Sequence, residues 1–371
     1  MFSFLLKTIT VFNALLLLLS CASVFINPNT LWHFSFFGFA FIFLFAANLL
    51  LLLWWLLRFN LFVVVPALAL LVSWKQAANT FALNFKEEPK EQGIKLLTWN
   101  VKNFDLYNWS KNAAARQQMM ALIKKENPYV LCLQEFYTNN QNFKNLEYLR
   151  DTLGFTHVYF YPRVEITGKP RNVWQKTLWK NESLTQQWGV ATFSKFPIVE
   201  SGKTEFDNKL VNGCIYTDVD FGNEVVRIHN VHLESVHLGY EDYETLDEIE
   251  QSRQTNRNKI FRILRKMKRA YGKRALQAKE LRQDIDTHSG LQVLCGDFND
   301  VPVSYTYRNA GYGLKDAFIE KGKGLGFTYF YHFPLFRIDY VLLHEKLQVN
   351  SYRTIRKELS DHYPVAVTFS F

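Results

Sequence analysis

The chain has 371 residues, room for one large domain and an appendage, with a formal charge of +9 and a pI near 9.2. That balance points to an anionic partner: nucleic acid, a phosphorylated small molecule or acidic lipid. Cys21, Cys132, Cys214 and Cys295 are scattered and read as buried thiols rather than a disulfide framework, and no repeat or low-complexity segment is evident.

The first 80 residues differ in composition from the rest. Thr8 to Ile26 and Leu31 to Leu57 carry no charge, and each is long enough for a transmembrane helix of about 20 residues. A third apolar stretch, Phe59 to Trp74, is shorter and contains Pro66, although it can extend past Lys75. Trp54 and Trp55 fit an interfacial belt. Leu18-Leu19-Ser20-Cys21 mimics a lipoprotein cleavage site, but two more apolar stretches follow, so cleavage would not free the protein. Lys7 and Arg58 are the only basic residues in or beside the first two spans, and the turn from Asn27 to Leu31 is uncharged. The positive-inside rule then sets Lys7 and Arg58 in the cytoplasm and the Asn27 turn outside. With three spans the rest of the chain lies outside the cytoplasm; with two it lies inside. The expected organisation is a multi-pass cell-membrane anchor over 1–80, held in the lipid bilayer, then a linker over 81–93. A catalytic domain, expected outside the cytoplasm, fills 94–371.

Past the linker, several segments share one form: a short apolar run ending in a polar side chain. Ile94 to Asn100, Tyr129 to Glu135, Val225 to His232 and Leu291 to Asp297 are such runs. They read as buried strands whose polar ends gather at the rim of a sheet. Asp297 and Asn299 are two apart and in extended chain face one side. Asn100, Glu135, Asp297, Asn299 and Asp361 are hard oxygen ligands, suited to magnesium or manganese rather than zinc. Singly, each has an ordinary explanation. Asn100 or Asn299 alone is a turn residue, His232 alone a structural histidine, and Asp361-His362 before Pro364 a turn. Their joint occurrence in this order points to metal-assisted phosphodiester hydrolysis.

Thr98-Trp99-Asn100, Leu133-Gln134-Glu135, Asn230 to Ser235, Gly296 to Asp300, Arg337-Ile338-Asp339-Tyr340 and Ser360-Asp361-His362 together resemble the endonuclease/exonuclease/phosphatase superfamily, the DNase I-like enzymes. The resemblance covers about 94–371, and the words look most like the tyrosyl-DNA phosphodiesterase 2 branch. Gly189 to Ile198 matches a further common family segment. The resemblance implies an α/β fold, a four-layer sandwich of two mixed β-sheets flanked by helices, here preceded by transmembrane helices. It implies that Glu135 and Asn100, with Asp361, hold Mg2+ or Mn2+. Asp297 and Asn299 would orient or activate the attacking water, and His232 would donate to a phosphate oxygen. His362 would act as base or charged stabiliser, oriented by Asp339. Whether Asp297 or His362 takes the proton stays open at this point. Asn230 and Arg337 are candidate substrate contacts.

The resulting expectation is a membrane-anchored phosphodiesterase or nuclease acting on an anionic phosphate ester. A lipid-head-group or small-phosphate hydrolase is the alternative, suited to the anchor. A silent membrane-tethered binding module is a third reading, opposed by the full catalytic complement. Between Ser235 and Gly290 an acidic stretch, Glu241 to Glu250, precedes a basic one, Arg253 to Arg282, whose apolar spacing predicts a helix. Its charges are solvated or contact lipid or nucleic-acid phosphates. Substrate choice is expected from loops around Phe104 to Ala115, Pro162 to Gln187 and Gly322 to Phe336. In these, Trp109, Arg163, Arg171, Trp174, Trp179 and Trp188 could stack on bases or shield the site.

Overall fold

The computed structural model describes residues 2–84, 92–168, 184–204, 206, 212–239, 241–242, 244–245, 248, 256–330 and 336–371. The chain forms two compact units. One comprises Met1–Ala82, Glu234–Lys279 and Asp300–Tyr312; the other comprises Leu83–Leu233, Glu280–Asn299 and Gly313–Phe371.

The first unit begins with α1 (Phe2–Ser23) and α2 (Phe34–Leu57), both long and apolar enough to cross a membrane. Two shorter helices follow, α3 (Val64–Val72) and α4 (Trp74–Ala78), interrupted at Ser73. Pro66 sits in the first turn of α3, where a missing N–H breaks no helical bond. Apolar side chains such as Phe4, Phe12, Leu50, Leu57 and Leu71 remain exposed. Ala14, Leu17, Cys21 and Val24 of the first helical stretch pack with Phe41, Ala69 and Ala77.

The second unit contains β1 (Ile94–Asn100), α5 (Ala115–Glu126), β2 (Val130–Asn139), β3 (His157–Gly168), β4 (Leu184–Ser194), β5 (Ile198–Thr204), β6 (Gly213–Asp220), β7 (Val225–His232), β8 (Leu291–Asp297), β9 (Lys315–Asp316), β10 (Asp339–Leu343), β11 (Gln348–Thr354) and β12 (Val365–Ser370). One six-stranded sheet has the order β11-β12-β1-β2-β4-β3, and the other has the order β9-β10-β8-β7-β6-β5. Each is mixed, with a single parallel pair: β1 with β2, and β7 with β8. Leu96, Val130, Cys132, Val365 and Val367 of one sheet meet Val226, Ile228, Val293, Cys295 and Val341 of the other. Burying such a side chain is worth about 1.5–3 kcal/mol, so this apolar layer holds the sheets face to face. Met119, Met120, Leu122 and Ile123 of α5 cover the opposite face of β1 and β2 at Leu97, Trp99, Leu131 and Leu133. α5 stops at Asn127, whose left-handed backbone (φ 48°) returns its N–H to Ile123. This is the expected sandwich of two mixed sheets flanked by helices.

A long helix, α6 (Arg257–Thr287), lies where the basic stretch predicts one, running five residues beyond Arg282. The predicted start at Arg253 and the acidic end at Glu250 lie outside the described residues, as does most of the charged linker. Its residues up to Lys279 belong to the first unit.

Candidate active site

Strand register assembles the site. In the second sheet His232 pairs with Asp297, and Asp297 pairs with Asp339, so three strand ends present a row of functional groups. The row needs Gly296: its φ is +129°, and a Cβ there would lie 2.0 Å from the Val231 carbonyl oxygen. In the first sheet Asn100 pairs with Gln134, and the β2–β4 register then shifts between Leu133 and Phe136. Glu135 sits in that bulge with φ +48°, a left-handed conformation that turns its carboxylate out of the strand's alternation. Asn299 is also left-handed, at φ +53°.

Asn100 joins the two sheets at this rim. Its Nδ2 donates to Glu135 Oε1 at 3.2 Å and to Asp297 Oδ2 at 3.0 Å. Asp297 also accepts from the Asn299 backbone N–H at 2.8 Å and from Asn299 Nδ2 at 3.2 Å. His232 Nε2 lies 3.8 Å from Glu135 Oε1 and 3.7 Å from Asp297 Oδ2. His362 is clamped from both sides: Nδ1 is 2.8 Å from Asp339 Oδ2, and Nε2 is 3.8 Å from Asp297 Oδ2. Asp339 is itself fixed at its backbone N–H, which donates to Thr328 Oγ1 at 3.0 Å.

Burial sets the electrostatics. It raises the Asp297 carboxyl to about 7, with His362 opposing and Asp339 adding to the rise. The same burial works against a charged His362 ring, but Asp339, Asp297 and Asp361 outweigh it and lift the ring to about 10. Burial and the neighbouring Asp361 carboxylate also raise Glu135. Asp361 is lowered in spite of burial, because His362 and Lys102 stabilise its anion.

Eight of the ten expected residues thus gather at one rim. Two lie in the interior. Asn230 is fully buried between the sheets, accepting from Gln134 Nε2 at 2.7 Å and donating to the Ala191 carbonyl at 2.9 Å. It ties β7 to β2 and β4, one pleat repeat deeper than His232. Arg337 is 2% exposed, bonds Asp316 at 2.6 Å, and lies against the rings of Phe318 and Tyr340. Asp361, expected at the metal, pairs with Lys102 Nζ at 2.7 Å.

Sequence reasoning missed the residues that hold these groups. Lys102 reaches Asp361 from a run of left-handed residues, Lys102 to Asp105, which no spacing signals. Trp99 Nε1 donates to the His362 carbonyl at 2.9 Å, and Ser360 Oγ to the Asn100 carbonyl at 2.8 Å, pinning the final turn beside β1. The Tyr329 ring meets the His362 ring edge-on at 5.1 Å. Next to Asp361, a cavity of about 220 Å³ is lined by Lys102, Trp109, Phe330 and Glu358 among others. The Lys102 ammonium stands over the Trp109 ring at 5.1 Å. Trp188 instead packs on Tyr137, and Arg163 on Tyr161. Arg171, Trp174 and Trp179 lie outside the described residues.

The donors fit a hard divalent cation. Glu135 keeps 28% side-chain exposure, and Asp297 and Asp339 offer carboxylate oxygens within 4.8 Å of each other. Glu135 resists ionising in its partly buried place beside Asp361, and a cation bound there would favour its carboxylate form.

This geometry agrees with a match to known proteins. The chain belongs to the endonuclease/exonuclease/phosphatase family, whose model matches residues 97–362 and so takes in all ten expected residues. Members of this family are hydrolases of phosphate esters and typically use divalent metals. A separate model, described as a domain of unknown function, matches residues 3–80. No curated protein matches the sequence. Among solved structures, an endonuclease/exonuclease/phosphatase from Beutenbergia cavernae is 18% identical, with 75% of this chain and 71% of that one covered and a TM-score of 0.48. D. rerio TDP2 complexed with single strand DNA product is 15% identical over 76% of this chain and 100% of that one, TM-score 0.49. The human Nocturnin catalytic domain with bound sulfate is 18% identical over 78% and 98%, TM-score 0.49. At these identities the likeness concerns the fold alone.

Proposed function

We propose that the chain is a membrane-anchored phosphodiesterase that depends on Mg2+ or Mn2+. The observation that carries this is the convergence of Asn100, Glu135, His232, Asp297, Asn299, Asp339 and His362 at one rim, from both sheets. Glu135 and Asn100, with Asp361 beside them, would hold the ion, which supplies Lewis-acid polarisation of a phosphate oxygen. Asp297 takes the proton of the attacking water, its carboxylate oriented by the Asn100 and Asn299 amides. His362 faces carboxylates at both ring nitrogens and so stays protonated, a charged donor to the phosphate rather than the base. His232 Nε2, near the same Asp297 oxygen, gives a second donor. A water oxygen bonds to phosphorus as the ester P–O bond breaks, releasing an alcohol. The cavity beside Asp361, with Trp109, Phe330 and Lys102, suits a flat aromatic group next to a phosphate, which favours nucleic acid. A lipid head group is the second reading, favoured by the anchor.

The anchor is proposed to cross the bilayer three times. Lys7 stands over the Phe62 ring at 5.5 Å, so both basic residues, Lys7 and Arg58, sit at one end of the helices. Toward the other end Gln76 Nε2 reaches the Cys21 carbonyl at 3.5 Å, while Phe81 meets Phe45, midway along α2, at 5.5 Å. The two short helices of residues 64–78, broken at Ser73, would lead the chain back toward the Asn27 end. With Lys7 and Arg58 inside, the catalytic domain lies outside the cytoplasm.

The full chain should hydrolyse one class among single- and double-stranded DNA, RNA, 5′-tyrosyl DNA, phospholipids and inositol phosphates, with magnesium present. A folded protein inert on the whole panel with either metal would overturn the activity. A reporter active only outside the cytoplasm should work when fused after Phe371 and stay silent after Arg58. The reverse pattern would mean two spans and a cytoplasmic enzyme.

A further inference from the structure

We propose that the exposed face of α6 binds anionic phospholipid head groups, in the leaflet on the side of the Asn27 turn. The inference rests on the reading of residues 1–80 as a membrane anchor and adds a lipid specificity to it.

The first observation is where α6 sits within its unit. The Tyr271 ring meets Phe36 at 5.8 Å and Phe39 at 5.9 Å, both on α2. Asn29 Nδ2 donates to the Gly272 carbonyl at 2.9 Å. A Cβ at Gly272 would stand 2.6 Å from Asn29 Oδ1, so the Asn29 side chain would have to shift. Lys268 lies over the Trp32 ring at 5.9 Å. A neighbouring helix, α7 (Tyr305–Ala310), brings Arg308 over Phe25 at 4.4 Å. The basic helix is thus fixed to the turn between two apolar helices, at the level where a spanning hairpin leaves the hydrocarbon.

The second observation is how its charges are distributed. Many basic residues of α6 are neutralised locally. Arg262 pairs with Glu241 and Asp242, Lys266 with Asp242, Lys259 with Glu248 and Lys273 with Glu234. Arg265, Lys268, Arg269 and Lys279 are exposed, and no described carboxylate pairs with them. Phe261 and Leu276, 58% and 53% exposed, share this face at helical spacing. A stripe of cations that no described carboxylate pairs, with apolar side chains among them, suits the head-group boundary of an anionic bilayer, where ammonium and guanidinium groups meet phosphates and apolar stems stay below. A nucleic-acid track would use the same cations but gives no role to Phe261, Leu276 or the attachment to the apolar hairpin.

The test uses the full chain reconstituted in phosphatidylcholine vesicles that carry spin-labelled phosphatidylglycerol or spin-labelled phosphatidylcholine. The fraction of each label immobilised by protein gives a selectivity ratio without any turnover assay. Each basic residue near an anionic lipid gives about fivefold in binding, so phosphatidylglycerol should be preferred severalfold. The quadruple variant Arg265→Gln, Lys268→Gln, Arg269→Gln, Lys279→Gln should bring the ratio to about one, with an unchanged melting curve. An embedded chain with no preference, or a preference the variant keeps, overturns the proposal and leaves the anchor standing. Release of the chain by alkaline carbonate overturns the anchor itself, and this inference with it. If the variant keeps lipid selectivity but its duplex-DNA binding loses about 0.9 of log–log salt slope per contact, the face tracks nucleic acid instead.

Discussion

The rim of the two sheets and the apolar hairpin solve the burial of polar groups in opposite ways. At the rim, Asn100, Asp297, Asn299, Asp339 and His362 are almost wholly buried or partly so, and each holds at least one neighbour in a shared network. In the hairpin, polar contacts are few: Trp55 Nε1 to Thr10 Oγ1 at 2.9 Å stands alone, and the Asn13 and Asn48 amides meet at the Leu44 carbonyl. A network makes each member's loss expensive, because the partners stay buried and unsatisfied. An isolated contact among apolar helices, held mainly by packing, contributes little by itself.

The comparison is sharpest at His362. His362→Ala should cut turnover by about 10²–10⁴-fold, the usual contribution of a positioned proton-transfer or charged group. Asp339→Asn should lose part of that, because the ring loses the carboxylate at Nδ1. Wild-type rates in His362→Ala on the true substrate would take the histidine out of the chemistry. Arg337 comes next, and it tests the reassignment from substrate contact to internal support. Arg337→Ala strands Asp316 in the interior and should cost about 3–5 kcal/mol of stability, read by denaturant unfolding, with KM unchanged in the folded fraction. A raised KM at unchanged stability would return Arg337 to the substrate. The smallest effect is expected in the hairpin. Thr10→Val should cost between about 0.6 and 1.7 kcal/mol in mixed-micelle unfolding. A loss as large as that of Arg337→Ala would make the two regions alike.

Much of the rim was legible in the sequence because apolar runs that end in polar residues are strands that end at a surface. Asn100, Glu135, His232 and Asp297 were found in this way, and the two-residue spacing of Asp297 and Asn299 survives as two bonds between them. Asn230, named with the family-like segment that begins there, lies in the interior. It shares a strand face with His232 but lies two residues further from the strand end, where the facing sheet closes over it. Arg337 misled because an arginine beside a site looks like a phosphate contact until Asp316, distant in sequence, is seen to occupy it. Lys102 was illegible, since its reach depends on consecutive left-handed residues. The third apolar stretch, with its proline and its break at Ser73, reads as short by composition. Its return to Cys21 becomes visible once the helices pack.

The central claim is that Glu135 helps hold a divalent ion without which this rim does not hydrolyse a phosphodiester. The direct measurement is a magnesium titration of turnover for the full chain and for Glu135→Gln, each started from chelator. The account predicts no activity in EDTA, recovery with magnesium or manganese, and a higher metal requirement in Glu135→Gln. Undiminished hydrolysis by the wild-type chain in chelator would contradict it.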